Sequence, residues 1–285
     1  MCYTTSMKTY TECLNENQIK ELKIKYFEYI NEKKLPYVNY QLKLEDCTIT
    51  VYDSKKVVYQ GINPEKYLSI KTESTEEAGS DEVGTGDYFG PVVVCACFLN
   101  NENMVFAKQL KANDSKQLTD TTIRKIAPLL IDKVDHSLLI LDTIKYNHIH
   151  DSNNMNQIKA KMHNKAYINL KNKIDSLPEK CIVDQFTPEN LYYRYIQHEP
   201  EIIRNLTFET KAESKYLSVA VASIIARYGF LMMWDKMEEY YDMKIPKGAG
   251  DDVDKFAKEF VKKHGKEELS KIAKMHFKNT EKIGL

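Results

Sequence analysis

An aspartate and a glutamate, Asp81 and Glu82, stand side by side in the stretch AGSDEVGTGDYFGPVVVCACFL. They precede a run, residues 90–99, that is apolar enough to predict an interior strand. Asp184 ends a second short apolar run, CIVD, and Glu213 lies just before a very apolar segment. Because ligand sites of layered α/β sheets gather at strand ends, we expect these four carboxylates, which come from three segments, to meet.

Four carboxylates packed together repel one another, and burial raises the pKa of each unless cations neutralise the cluster. Oxygen ligands without a neighbouring His or Cys favour Mg²⁺ or Mn²⁺ over zinc. Two such ions about 3.5 to 4 Å apart activate a water and stabilise the leaving oxygen in phosphodiester hydrolysis. The acidic residues therefore indicate phosphoryl chemistry. The alternative for each is a solvated surface carboxylate, and for Glu213 a charge that favours the N-terminus of the following helix.

A glycine-rich turn follows the acidic pair and contains Gly84, Thr85 and Gly86. Its glycines either simply permit a turn or leave room for the backbone to approach a sugar-phosphate strand. Lys116, in the segment NDSKQLTD, is a candidate phosphate contact, with a solvated surface lysine as the alternative. These four residues are candidates for substrate binding.

The composition is typical of a soluble globular protein, with 42% apolar and 29% charged residues among 285. Forty-one basic residues balance 41 acidic ones, so a basic surface for nucleic acid would have to be local. Six cysteines without a C-x-x-C pair, and the lack of a signal peptide, favour reduced thiols in the cytoplasm. The apolar stretch 216–234 contains Ser218, Ser223 and Arg227, which favours a buried core helix over a membrane span.

The pattern of elements predicts two units. Residues 1–72 combine an amphipathic helix with a small antiparallel sheet, a polar stretch at 73–78 is typical of a linker, and 79–285 alternate strands with helices. In the first unit we predict a helix within 15–34 and strands at 37–44, 47–52 and 57–61. In the second we predict strands at 90–99, 137–144 and 180–186 and helices at 119–134, 153–175 and toward the C-terminus. The alternation predicts an α/β domain whose sheet is partly parallel.

Five segments, in their order and spacing, resemble the bacterial ribonuclease HIII family: GSDEVGTGDYFGP, NDSKQLTD, IVDQF, TKAESKYLSVAVASIIAR and IPKGAG. The resemblance spans nearly the whole chain, because LEDCTITVYDSKKVVYQG is similar to the family's N-terminal substrate-binding domain. It implies a ribonuclease H-like mixed sheet flanked by helices, with a small N-terminal α+β domain that resembles half of a TATA-box-binding protein. The sister ribonuclease HII enzymes usually carry G-R-G and K-A-D where this chain has G-T-G and K-A-E.

The resemblance implies an endonuclease that cuts the RNA strand of RNA/DNA hybrids with Mg²⁺ or Mn²⁺, leaving 3'-hydroxyl and 5'-phosphate ends. The family's acidic tetrad falls on Asp81, Glu82, Asp184 and Glu213, which would hold two ions when substrate is bound. Its glycine loop, which contacts ribose 2'-hydroxyls, falls on residues 84–86. We expect a monomer with neither a membrane nor a protein partner.

Three other functions stay open. A ribonuclease HII-type enzyme would incise at single ribonucleotides in duplex DNA, a catalytically silent protein would only bind hybrids, and a DNA nuclease such as a resolvase could use the same fold. Cleavage of an RNA/DNA hybrid, of a duplex with one embedded ribonucleotide and of an all-DNA duplex distinguishes these functions.

Overall fold

The computed structural model describes residues 7–31, 35–68, 76–112 and 118–285. The chain divides into two compact units, Met1–Thr75 and Glu76–Leu285. Lys116 and residues 73–75 of the predicted linker lie outside the described residues. The linker prediction is wrong for Glu77 and Ala78, because these residues begin a strand that is paired on both sides.

The first unit is a four-stranded antiparallel sheet with one α-helix on one face. Its elements are β1 (Lys8–Cys13), α1 (Glu16–Lys25), a 3-10 helix (Phe27–Tyr29), β2 (Val38–Lys43), β3 (Cys47–Tyr52), β4 (Lys56–Gly61) and a second 3-10 helix (Pro64–Lys66). The strand order is β1-β4-β3-β2. Asn15 and Gln18 form a capping box at the start of α1, and Leu22 of this helix is fully buried in the core of the unit. The helix predicted within 15–34 is shorter than expected, and β1 was not predicted.

The second unit is a mixed five-stranded sheet with helices on both faces, which confirms the predicted fold class. Its strands are β5 (Glu77–Val83), β6 (Val92–Leu99), β7 (Asp135–Leu141), β8 (Lys180–Asp184) and β9 (Thr207–Glu209). Its helices are α2 (Asn101–Gln109), α3 (Asp120–Lys133), α4 (Thr143–His150), α5 (Met155–Ile174), α6 (Glu189–Tyr195), a 3-10 helix (Ala212–Ser214), α7 (Leu217–Tyr241), α8 (Asp251–His264), α9 (Lys266–Ile272) and α10 (Lys278–Lys282). The strand order is β7-β6-β5-β8-β9, with β5, β8 and β9 parallel and the other pairs antiparallel.

Strand β6 is buried on both faces of the sheet, which explains its uninterrupted apolar sequence. Val93, Cys95 and Cys97 belong to the apolar cluster that contains α7 and α3, whereas Val94 and Ala96 belong to the cluster that contains α5 and α6. Successive strand residues point to opposite faces, so a strand covered by helices on both sides has no polar positions. Most of the apolar stretch of α7 is buried, so the prediction of a core helix is confirmed.

We expected Asp81 and Glu82 to precede the first strand of the unit. Instead, they lie within that strand, β5. The sequence EAGSDEV does not predict a strand, because Gly, Ser, Asp and Glu are poor strand formers. Its central position, between β6 and β8, supplies the hydrogen bonds that local propensity does not. A Cβ atom on Gly79 would lie 2.4 Å from the backbone nitrogen of Val219, so α7 packs against β5 at a distance that only glycine allows.

The loop that follows β5 is fixed by a buried lysine. The Lys274 ammonium is fully buried and donates hydrogen bonds to the carbonyl oxygens of Asp87 (2.6 Å), Phe89 (3.2 Å) and Gly90 (2.6 Å). The Lys274 backbone N–H donates to the carbonyl of Tyr88, and the Asp87 carboxylate accepts from the Gly248 N–H. The segments around residues 248 and 274 therefore hold the turn that carries the glycines. Burial lowers the pKa of Lys274 to about 7.

We predict that Lys274 makes the stability of the protein rise with pH. The folded protein releases the Lys274 proton near pH 7, whereas the unfolded chain keeps it up to about pH 10.4. Unfolding takes up a proton between these values, so the free energy of unfolding increases by up to about 1.4 kcal/mol per pH unit. Urea unfolding between pH 6.5 and 9 should show wild type gaining stability relative to Lys274→Met. A difference between the two proteins that does not grow with pH would contradict the assignment.

Candidate active site

The alternation of strand β5 places its two carboxylates on opposite faces of the sheet. Ser80 and Glu82 face α5, where Ser80 Oγ lies 2.8 Å from His163 Nδ1 and the Glu82 carboxylate contacts Lys159 and His163. Asp81, between them, faces α7, where Ser223 hydrogen-bonds to its carboxyl group. Two residues adjacent in sequence therefore have different surroundings.

Asp81 is buried without a cationic partner among the described residues. Its side chain is 8% exposed, and one of its oxygens accepts a hydrogen bond from the Glu82 backbone N–H at 2.7 Å. Burial, the charge of Glu82 and the charge of Asp184 raise the pKa of Asp81 to about 8. The hydroxyl of Ser223 only partly opposes this rise. Asp81 is therefore protonated at neutral pH unless a cation joins it.

Asp184 lies beside Asp81 because they occupy neighbouring parallel strands, and Glu213 lies beside Asp184. The last β5–β8 pair is Ser80 with Val183, so Asp81 and Asp184 are the next residues of adjacent strands. Asp184 Oδ1 accepts the Ala212 N–H at 2.8 Å, which ties the strand end to the 3-10 turn that carries the buried Glu213. Burial, the charges of Glu213 and Glu82, and a hydrogen bond with Glu213 raise the pKa of Asp184. The two carboxyl groups therefore lie within hydrogen-bonding distance of each other at the end of β8.

Glu82, unlike Asp81, lies beside basic side chains. Its Oε1 accepts from Lys159 Nζ at 2.7 Å, and its Oε2 lies 2.8 Å from His163 Nε2. Burial alone would raise the pKa of Glu82, but the hydrogen bonds and charges of His163 and Lys159 outweigh it and lower the pKa. Glu82 is therefore ionised where Asp81 is not.

The four carboxylates lie in one neighbourhood but do not form a closed ligand cage. Within the described ranges, no three His, Cys, Asp or Glu side chains stand close enough together to hold a metal ion as they are oriented. Three of the acids lie on the α7 side of the sheet and Glu82 on the α5 side, because neighbouring residues of β5 point to opposite faces. Hard oxygen donors with raised pKa values nevertheless fit a divalent cation chemically, because the cation supplies the positive charge that Asp81 and Asp184 lack.

A cleft of about 320 Å³ opens beside this cluster. Gly84 has a left-handed φ of +92°, and a Cβ atom there would lie 2.1 Å from the carbonyl oxygen of Pro91. The backbone therefore requires glycine at this position, whereas a Cβ atom on Gly86 would meet nothing within 4 Å. The cleft is lined by Glu82, Val83, Gly84, Thr85, Gly86, Leu118, Asp120, Ile123, Ser223, Ile224 and Arg227.

Sequence reasoning missed the polar residues that surround the acids, namely Lys159, His163, Ser80 and Ser223. Lys159 and His163 are four residues apart on α5 and so share one helix face, which the sequence does contain as a signal. Nothing in the sequence says that this face meets β5. Arg227, which pairs with Asp120 at 3.0 Å on the wall of the cleft, was read only as an interruption of an apolar helix.

Comparisons with known proteins agree with this architecture. The family described as Ribonuclease HII matches residues 78–280, and the family described as Domain of unknown function (DUF3378) matches residues 13–78. Ribonuclease HIII of Listeria monocytogenes serovar 1/2a is 40% identical, over 94% of this chain and 96% of its own length. Ribonuclease HIII of Bacillus mycoides is 38% identical, over 93% of this chain and 94% of its own.

Among solved structures, the crystal structure of Bst-RNase HIII in complex with Mn²⁺ matches with a TM-score of 0.71 and 35% identity. The match covers 97% of this chain and 98% of that one. Both units are therefore included in the likeness, and the chain belongs to the ribonuclease HIII family, within the broader family of ribonuclease HII.

Proposed function

We propose that this enzyme hydrolyses the RNA strand of RNA/DNA hybrids, leaving 3'-hydroxyl and 5'-phosphate ends, with Asp81, Glu82, Asp184 and Glu213 as the ligands of Mg²⁺ or Mn²⁺. Two ions would be held when substrate is bound. The observation that carries the proposal is the buried excess of negative charge where β5 and β8 end, expressed in the raised pKa values of Asp81 and Asp184. Mn²⁺ in the related Bst-RNase HIII structure supports the choice of metal.

The part played by the chain is to hold acidic groups in place before substrate arrives. When bound, divalent ions activate a water and stabilise the leaving 3'-oxygen in this class of hydrolysis. Glu82 is already ionised and held by two hydrogen bonds, so it needs to release no proton to act as a ligand. Asp81 would lose its proton on becoming a ligand, and a cation would offset the effects that raise the pKa of Asp184.

We propose that the cleft beside the acids receives the RNA strand. Thr85 and Gly86 line it, and Gly86 leaves open space in which backbone groups can approach a ribose 2'-hydroxyl. Arg227 and Lys247 share the Asp120 carboxylate, so this group keeps one net positive charge beside the cleft for a phosphate. Lys116 remains a proposed phosphate contact on the strength of the sequence alone.

The first unit offers a sheet face suited to a nucleic-acid duplex. On the face opposite α1, one row of paired residues is Lys43, Thr48, Gln60 and Thr9, and the next is Gln41, Thr50, Val58 and Thr11. Lys56 lies on the same face, and none of these positions carries an acid. A polar surface without negative charge can contact phosphates and sugars without repulsion, so we propose that this face binds the hybrid by shape and phosphate contacts.

We further propose that the enzyme works in the cytoplasm as a monomer, without a protein or membrane partner. The described cysteines, Cys13, Cys47, Cys95, Cys97 and Cys181, are all free thiols, as in a reducing compartment. All four proposed ligands come from one chain, so the site needs no second copy.

We predict that Asp81→Asn lowers the rate of hybrid cleavage by roughly 1,000-fold, because it removes about 4 kcal/mol of transition-state stabilisation through the metal site. The measurement is cleavage of a uniformly labelled RNA/DNA hybrid with Mg²⁺ and with Mn²⁺. Asp132→Asn, an exposed position on α3, is the matched control and should cleave at the wild-type rate. Near wild-type cleavage by Asp81→Asn would remove this residue from the metal site.

We predict that Lys43→Gln together with Lys56→Gln weakens binding of the hybrid and flattens its dependence on salt. Each phosphate contact that is lost should reduce the slope of log Kd against log salt by about 1. Fluorescence anisotropy in EDTA measures Kd without cleavage. Lys20→Gln, an exposed position on α1 on the other side of the sheet, is the control. An unchanged slope in the double variant would exclude the two lysines from the binding face.

A further inference from the structure

We propose that Lys159 and His163 are positioning residues that hold Glu82 in the orientation required of a ligand. The inference rests on the proposed function, since it gives Glu82 a metal to bind. It goes beyond that function because neither residue belongs to the acidic set. Both act through Glu82, and we assign them no contact with the substrate.

Lys159 and His163 each hydrogen-bond to a different oxygen of the Glu82 carboxylate. They lie four residues apart on α5, and their contacts with Glu82 are 2.7 and 2.8 Å long. An ionised carboxylate only accepts hydrogen bonds, so His163 Nε2 must carry a proton and donate it. Ser80 Oγ, 2.8 Å from His163 Nδ1, fixes the other side of the ring. The arrangement leaves the Glu82 side chain one orientation.

The contacts of Lys159 and His163 with Glu82 are shielded from water. His163 is fully buried and Lys159 is 7% exposed. The ring of Phe186 covers both residues, with Lys159 Nζ 4.0 Å from its centroid and the His163 ring stacked at 5.3 Å. Hydrogen bonds to a charged group are stronger in such surroundings, and the ammonium gains a further cation–π attraction.

The hydrogen bonds from Lys159 and His163 also leave Glu82 able to bind a cation. A carboxylate has about four acceptor sites, and the two contacts use one on each oxygen. The other acids are near enough for the charge of Glu82 to act on Asp81 and Asp184. Side chains that orient ligands in this way typically contribute 10- to 100-fold to metal affinity or activity.

A purely structural ion pair is the competing explanation. Replacing a buried pair with apolar groups is often neutral for stability, and such a pair need not affect metal binding at all. A test must therefore measure Mn²⁺ affinity as well as cleavage. It must also ask whether the effect of Lys159 passes through Glu82.

The experiment compares Lys159→Met and His163→Leu with wild type in the full chain. We expect the Kd for Mn²⁺ measured by calorimetry without substrate to rise roughly 10-fold, and kcat to fall about 10- to 100-fold, with KM for the hybrid within about twofold. His163→Gln should recover most of the loss, because its amide can donate to Glu82. Lys171→Met changes another lysine of α5, one whose side chain is 44% exposed and pairs with Glu201 outside this helix, and should change nothing.

A double-mutant cycle decides between the two explanations. If Lys159 acts through Glu82, Lys159→Met has no further effect on Mn²⁺ affinity in a Glu82→Gln background. An equal loss in both backgrounds, or wild-type Mn²⁺ affinity and kcat in both single variants, overturns the inference. If Glu82→Gln itself binds Mn²⁺ and cleaves like wild type, the proposed role of Glu82 fails instead.

Discussion

The period of two in strand β5 is the constraint on which the site depends. Because neighbouring residues of a strand point to opposite faces, Asp81 and Glu82 enter two different environments although they are joined by one peptide bond. On the α5 side, a lysine and a histidine compensate the charge of Glu82. On the α7 side, Asp81 lies beside Asp184 and receives hydrogen bonds from the Ser223 hydroxyl and the Glu82 backbone N–H, which carry no full charge. One strand thus carries a charged carboxylate, Glu82, and an uncharged carboxyl group, Asp81, and we propose both as ligands of the cation.

The rest of the second unit keeps that strand and its loop in place. Helix α7 approaches β5 so closely that Gly79 cannot carry a side chain, and the turn before α7 is bound to the Asp184 carboxylate. The Lys274 amino group donates hydrogen bonds to three carbonyl groups of the loop after the glycines. Burying a lysine costs free energy of folding. The protein tolerates this cost where the lysine fixes the position of the loop beside the acids.

The sequence was sufficient to predict strands β6 and β8 of the second unit. It was not sufficient to predict which residues surround the acidic side chains. The apolar run of β6 and the end of β8 were visible because burial on both faces leaves a continuous apolar pattern. Strand β5 was missed because its residues disfavour strands and only tertiary pairing stabilises it. The partners of Glu82 were missed for a related reason, since the helical spacing of Lys159 and His163 says nothing about which strand they face.

We expect Asp81 to stay uncharged until a divalent cation joins it. Carbon-13 NMR of the aspartate carboxyl groups in the full chain, with Asp81 assigned by comparison with Asp81→Asn, measures this directly. We predict a pKa of about 8 in metal-free protein, and an ionised Asp81 at neutral pH once Mg²⁺ is added. A metal-free Asp81 that titrates near the ordinary value of about 3.9, or one that does not respond to Mg²⁺, would contradict the account.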